Sequence, residues 1–394
     1  MLKVILKKNE ERRIRQGHLW VFSNEVQSVE NGELKIENGE LVHVFDSRGN
    51  FVASGFYNGN SLIAVRVISN KENSSLEDVI EERIVSAYNY RKSVYPNRDS
   101  FRLVFSESDF LPGLIIDKYN DTFVLQVYSA GIEKNIGVVV NTLQNKLGAK
   151  NIFTKHDDYF RTLEGLPVED TVYLGGAEED VITDGKLKYK INFEKGQKTG
   201  FYFDQCDNRE YMGKFCKEKT VLDCFCNSGG FGLHAAVNGA SQVTFVDSSA
   251  NEIENVKNNR ALNELTNEAE YVCMDVFDYL EKCVAEKKKF DIVNIDPPAF
   301  AKSKKNLPKA AKAYEKLNRL AMEVVNEDGF VFTSSCSHHL KRDEFVSVIR
   351  AASIKAEKQI QLIYTNGASL DHPSLPAMDE TSYLKFAVIK VAQV

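Results

Sequence analysis

Residues 221–247 read VLDCFCNSGGFGLHAAVNGASQVTFVD, and this stretch decides the fold. The apolar run Val221–Phe225 is a short strand that stops at the turn Asn227-Ser228-Gly229-Gly230. An Ala-rich helix is predicted from about Phe231 to Val237, closed by Asn238-Gly239, and a second strand, Val243–Val246, ends on Asp247. Strand, turn, helix and strand at these lengths make a βαβ unit. Its turn lies at the carboxyl end of the first strand, where open α/β sheets hold their ligands. Asp247 follows the glycines at about the 20-residue spacing where a ribose hydroxyl is usually bound.

The ligand is read from the turn. A dinucleotide turn places G-x-G-x-x-G directly after the strand, so that backbone amides can approach a pyrophosphate. Gly230-x-Gly232-x-x-Ala235 fits that pattern loosely and begins late. Asp223, at the end of the first strand, would repel a phosphate and would suit a cation such as the α-ammonium of S-adenosylmethionine. A purely structural βα turn in another α/β enzyme is the alternative.

Working outward, bulk composition bounds the rest. A chain of 394 residues exceeds one ordinary domain. Hydrophobic content of 43% with 27% charged residues describes a soluble globular protein. No apolar run approaches ~18 residues, so no membrane span is predicted, and the N-terminal MLKVILKKNEERRIRQ lacks a signal-peptide core. The seven cysteines are odd in number and none forms C-x-x-C, which points to a reducing cytoplasm and against a disulfide framework or zinc site. A net charge of −6 does not advertise a nucleic-acid binder, so any such role rests on local basic patches.

Residues 1 to about 70 read as a β-rich unit, with the turn Asp46-Ser47-Arg48-Gly49 between two strands. Within it, Arg12 to Phe22 is basic and carries the only tryptophan, Trp20. Basic groups beside aromatics suit phosphate contact with base stacking; a solvated helix followed by a buried Trp-Phe pair is the bland alternative. After a polar linker at 70–78, a helix runs to about Val94, and an α+β unit of two hairpin-like halves around a helix at 132–147 is expected. Glu107, Asp109, Asp157 and Asp158 read as surface charge. An Asp-Gly hairpin is predicted within 181–195.

Past Asp247, the strand at 269–273 leads to Asp275, an acid that could meet an adenine amino group. The strand Phe290–Ile295 ends in Asp296-Pro297-Pro298-Ala299-Phe300, a loop stiffened by two prolines and suited to holding an amino-bearing base. Lys302, Lys304 and Lys305 follow, read equally as nucleic-acid contacts or a solvated loop. A fifth strand at 329–333 ends in Ser334-Ser335-Cys336-Ser337-His338-His339, a thiol at the same edge.

Together these residues resemble the class I S-adenosylmethionine-dependent methyltransferases, and more narrowly the bacterial large-subunit rRNA cytosine-5 methyltransferases of the RlmI type. The matching motifs are GQKTGFYFDQxxNR (196–209), DCFCNSGGFG (223–232), Asp247, Asp275, DPPAF (296–300), SSCS (334–337) and DHP (371–373); upstream, RxGHxWVFxxE (15–25) and ESDFLPGLIIDKY (107–119) match as well. The resemblance implies an α/β chain with a PUA RNA-binding domain (1–72), a central α+β domain (73–180) and a Rossmann-like seven-stranded methyltransferase domain with a reversed last hairpin (181–394). It implies that Asp204 and Arg209 border the methionine end of the cofactor, with Asp223 and Gly229 beneath it, Asp247 on the ribose and Asp275 on the adenine. Phe203, Val276 and Asp296 join the expected cofactor site. Pro297, Pro298, Phe300, Lys302, His372, Arg15 and Trp20 are the expected RNA contacts. The implied partner is 23S rRNA or a ribosome assembly intermediate, with no membrane; a homodimer is compatible with it.

The chemistry implied is covalent. Carbon 5 of cytosine becomes nucleophilic once a thiolate adds at carbon 6, and Cys336 is the expected nucleophile. A thiol near pKa ~8.5 needs local help at neutral pH. Asp296 would hydrogen-bond the base edge and, if protonated, feed ring nitrogen 3. Many RNA cytosine-5 methyltransferases carry a second cysteine in the Asp-Pro-Pro loop; here Ala299 or Phe300 stands there, leaving His338, His339 or a water to take the carbon-5 proton. Three rivals remain: a guanine-N methyltransferase needing no thiol, a non-catalytic RNA-binding factor, and a nicotinamide oxidoreductase disfavoured by Asp223 and the late glycines.

Overall fold

The computed structural model describes residues 2–30, 37–72, 74–194, 199–301 and 303–392. It divides into two compact units: Met1–Ile182, Lys190–Phe203 and Leu370–Thr381 form one, and Thr183–Tyr189, Asp204–Ser369 and Ser382–Val394 form the other. Among the described residues no helix is long and apolar enough to cross a membrane.

The first unit carries two sheets. Its six-stranded sheet runs in the order Trp20–Phe22, Ile63–Ser69, Phe51–Tyr57, Leu41–Phe45, Lys3–Leu6, Val26–Glu30. Alternating Val42, Val44, Val65 and Val67 fill its core, as half-buried antiparallel strands require, while Lys3–Leu6 lies parallel to Leu41–Phe45. Asp46 closes the tight turn by accepting from the amides of Arg48 (2.9 Å) and Asn50 (3.0 Å).

The five-stranded sheet departs from the expected pair of hairpin-like halves. Ser100–Phe105, Leu114–Tyr119 and Thr122–Val127 form an antiparallel meander, but Asn151–Thr154 then lies parallel to Thr122–Val127. Parallel neighbours need a crossover of a dozen or more residues, and here it is helical. The helix expected over 132–147 is two, Ala130–Lys134 and Ile136–Leu147. They break at Asn135, whose side chain donates back to the Gly131 carbonyl (2.8 Å). Glu107 and Asp109 are not surface charges. Asp109 takes a two-pronged ion pair from Arg91 (2.5 and 2.7 Å), which is fully buried and needs that partner, and Glu107 accepts from the Trp20 indole (2.8 Å). Asp157 caps the helix Asp158–Glu164.

The second unit is built on a seven-stranded sheet in the order Glu268–Cys273, Gln242–Asp247, Thr220–Cys224, Phe290–Ile295, Val325–Ser335, Lys385–Ala392, Gln359–Asn366. The first five are parallel; Lys385–Ala392 is antiparallel to both neighbours. This is the Rossmann-like seven-stranded sheet with a reversed last hairpin that the resemblance implies. From Thr220–Cys224 the chain steps outward twice, then returns beside the same strand at Phe290–Ile295. That reversal opens a crevice at the carboxyl ends of these two strands. The helix Leu307–Val324 buries Ala310, Tyr314, Leu317 and Ala321, spaced to form one stripe, against the sheet.

Candidate active site

The turn after Thr220–Cys224 is held in a costly shape. Phe225 (φ 58°), Asn227 (φ 48°) and Gly229 (φ 91°) all take left-handed backbone within five residues. Two are not glycine, and such strain persists where surrounding bonds over-determine it. Here Asp247 supplies those bonds. Its carboxylate accepts from the Asn227 amide (3.0 Å) and the Ser249 amide (2.9 Å), tying the turn to the end of the next strand while remaining half-exposed.

Asp223 is nearly fully buried and accepts from the Gly232 amide (2.7 Å) and from Asn294 Nδ2 (2.9 Å), its opposite residue on the neighbouring strand. Burial pushes its carboxyl up to about 6 despite those bonds. Gly232 is required by close approach: a Cβ there would lie 2.3 Å from the Phe245 ring and 2.9 Å from Asp223. Asp275 is exposed and caps the helix Val276–Ala285 by accepting from Phe277 N (2.8 Å); Val276 is buried in the core.

Farther along the same edge, three segments meet. Gln205 bridges two of them, donating to Asp296 Oδ1 (3.0 Å) and to Ser334 Oγ (3.1 Å). Ser337 Oγ accepts from the Ala301 amide (3.2 Å) and bonds the Tyr314 hydroxyl (3.0 Å). The Asp296–Ala301 loop and the Ser334–Ser337 segment are thereby fixed against each other. Between these ties lies Cys336, half-exposed, with its sulfur 3.9 Å from the Pro297 carbonyl. Burial, with Asp204 nearby, pushes the Asp296 carboxyl up to about 7. Asp204 itself accepts from the Tyr383 hydroxyl (2.5 Å).

Arg209 is buried beneath the helix Gly230–Val237, 3.6 Å from Asp184, with its guanidinium over the Phe231 ring. Pro297 is buried, Pro298 exposed, and Phe300 packs on Tyr314 with ring centroids 4.7 Å apart. Lys302 and the motif residues Gly196, Gln197 and Lys198 lie outside the described residues. The remaining expected residues belong to the first unit. There Phe203 packs on Tyr119 and Phe201, and His372 bonds Asp371 (2.8 Å) against the Phe105 ring. Arg15 pairs with Asp46 (3.1 Å) with half its side chain exposed, and Trp20 is half-buried.

Gln205, Asn294, Ser337 and Lys385 were missed by sequence reasoning. Gln205 and Ser337 sit inside quoted motifs; Asn294, a polar residue within an apolar strand, was itself a signal. The donor set fits S-adenosylmethionine. Acids stand at the ends of successive strands, where sulfonium, ammonium, ribose hydroxyls and an adenine amino group are all cations or donors. A pyrophosphate would meet repulsion there.

The family described as PUA-like domain matches residues 4–70, and that described as Conserved hypothetical protein 95 matches residues 200–363. The chain is 37% identical to the "Putative ribosomal RNA large subunit methyltransferase" of Methanocaldococcus jannaschii, covering 97% of this chain and 96% of that protein. It is 36% identical to ribosomal RNA large subunit methyltransferase I of Photobacterium profundum, covering 97% of each. A solved structure, "A putative sam-dependent methyltransferase from Streptococcus mutans", superposes with a TM-score of 0.83 at 21% identity, over 99% of this chain and 100% of that one, and so shares the fold.

Proposed function

The chain belongs to the ribosomal RNA large subunit methyltransferase I family, and from that premise we propose that it methylates carbon 5 of a cytosine through a covalent adduct with Cys336. It is an S-adenosylmethionine-dependent methyltransferase of large-subunit rRNA. The observation that carries the finer reading is the half-exposed Cys336 thiol, 3.9 Å from the Pro297 carbonyl and tied by Ser337 to a loop that begins with Asp296.

In the proposed reaction, the Cys336 thiolate adds to carbon 6 of the base, and the ring electrons move to make carbon 5 a nucleophile. S-adenosylmethionine, when bound, supplies the electrophilic methyl group. Asp296, pushed up to about 7, is substantially protonated at neutral pH and can donate to ring nitrogen 3 as negative charge develops. Gln205 fixes one of its oxygens, leaving the other for the base edge. A base then removes the carbon-5 proton, and elimination frees Cys336.

We assign RNA capture to residues 1–72, with Arg15 and Trp20 among the contacts, and catalysis to 181–394, with 73–180 between them. Pro297, Pro298, Phe300, Lys302 and His372 are assigned to substrate contact, and Asp204, Arg209, Asp223, Gly229, Asp247 and Asp275 to the cofactor. Phe203 and Val276 are assigned to the cofactor as well. Mass mapping of rRNA from a strain lacking the gene tests the reading. A methylcytosine should disappear, return with the wild-type gene, and stay absent with Cys336→Ala. Restoration by Cys336→Ala, or a missing methyl on guanine, would refute it.

A further inference from the structure

One buried cation beside this chemistry is not in any quoted motif. Lys385 opens the antiparallel strand Lys385–Ala392 and stands directly opposite Ser335. Its side chain is buried, at 5% exposure. A buried ammonium ordinarily finds a carboxylate, yet among the described residues Lys385 pairs with none. It donates instead to two backbone carbonyls, Ser337 O at 2.6 Å and Tyr383 O at 2.7 Å. An ammonium has three donors, so those carbonyls leave one direction open.

Both strands end at this point, and Cys336 lies between the residue opposite Lys385 and the residue whose carbonyl holds it. We propose that Lys385 is a positioning residue for Cys336: its ammonium pins the Ser335–Ser337 segment and stabilises the thiolate form of the cysteine. The inference rests on the reading of Cys336 as nucleophile and supplies the local help that a free thiol needs.

The surroundings have the right sign. The charged and titratable groups acting on Lys385 are Cys336, then Lys341, Arg342 and Glu344, and the pull of Cys336 is the largest of these. Tyr314, on the helix Leu307–Val324, also feels the Cys336 charge, and its own hydroxyl is pushed up mainly by burial. Burial brings Lys385 down to about 8, so it remains mostly cationic at neutral pH. A lysine that only tied down two carbonyls would leave the thiol's titration unchanged, which separates the two roles.

The test is the pH dependence of iodoacetamide alkylation at Cys336, read peptide by peptide on the full-length protein without RNA or cofactor. Exposed Cys273 is the internal reference. In the wild type the Cys336 midpoint should lie below that of Cys273, a comparison that needs no variant. In Lys385→Met the midpoint should rise by about one unit, which is about tenfold slower alkylation at pH 7; Lys385→Arg should largely restore it. A wild-type midpoint at or above that of Cys273, or an unmoved midpoint in Lys385→Met, overturns the inference. Methylation that survives Cys336→Ala would sink the proposed reaction while leaving the alkylation result intact, so the two failures are distinguishable.

Discussion

At Asp296 and Asp223, burial outweighs hydrogen bonding: the carboxyls are pushed up to about 7 and about 6 from 3.8. A carboxyl whose folded value exceeds its unfolded value takes up a proton on folding. That contribution to stability is full at low pH and is lost as pH rises through the folded value. Asp296→Asn should therefore be more heat-stable than wild type at pH 8, on the order of 1–2 kcal/mol after allowing for partial exposure, with the gap narrowing at pH 5. The same variant should lose methyl transfer. Thermal melts at the two pH values check the first outcome; equal gaps would contradict it. Gly232→Ala forces a methyl into the Phe245 ring and should cost about 1–3 kcal/mol, with weaker cofactor binding by titration calorimetry.

Among the elements, the central parallel strands of the seven-stranded sheet are legible as apolar runs, with acids at or just past the ends of Gln242–Asp247 and Phe290–Ile295. The βαβ unit at 221–247 was legible through its glycines. Their chemistry was less so. Spacing along the chain places Asp223 at the end of its strand but does not reveal its bonds to Gly232 and Asn294, which strand register sets. Lys385 is hidden for the same reason: Ser337 lies 48 residues away in sequence, just past the end of the neighbouring strand Val325–Ser335. In the first unit, the parallel step from Thr122–Val127 to Asn151–Thr154 was misjudged, since apolar alternation is identical in parallel and antiparallel strands. Ser337 joins loop to strand, and Ser337→Ala leaves the Ala301 amide and Tyr314 hydroxyl without that partner. Its loss should cost about 1–3 kcal/mol and lower kcat while leaving cofactor affinity unchanged; a weakened cofactor affinity would argue against this division of labour.

For the whole molecule, the charge of −6 places RNA affinity on local patches. Arg12 is exposed and Arg15 half-exposed on the short basic helix Glu11–Arg15 of the first unit. The double variant Arg12→Glu, Arg15→Glu should weaken RNA binding and flatten its dependence on salt, with cofactor affinity unchanged; an unaltered salt slope would remove this helix from the RNA interface. The central claim concerns Cys336 and is tested most directly with RNA in which 5-fluorocytosine replaces cytosine. Fluorine stands where the carbon-5 proton would be and cannot be removed by a base, so after methyl transfer the thiol cannot be eliminated and an enzyme acting through a thiol adduct is trapped on its substrate. The account predicts a denaturant-stable protein–RNA complex, dependent on S-adenosylmethionine, cross-linked at Cys336 and absent in Cys336→Ala. Turnover of ordinary RNA with no trapped complex, or a complex linked at another residue, would contradict it.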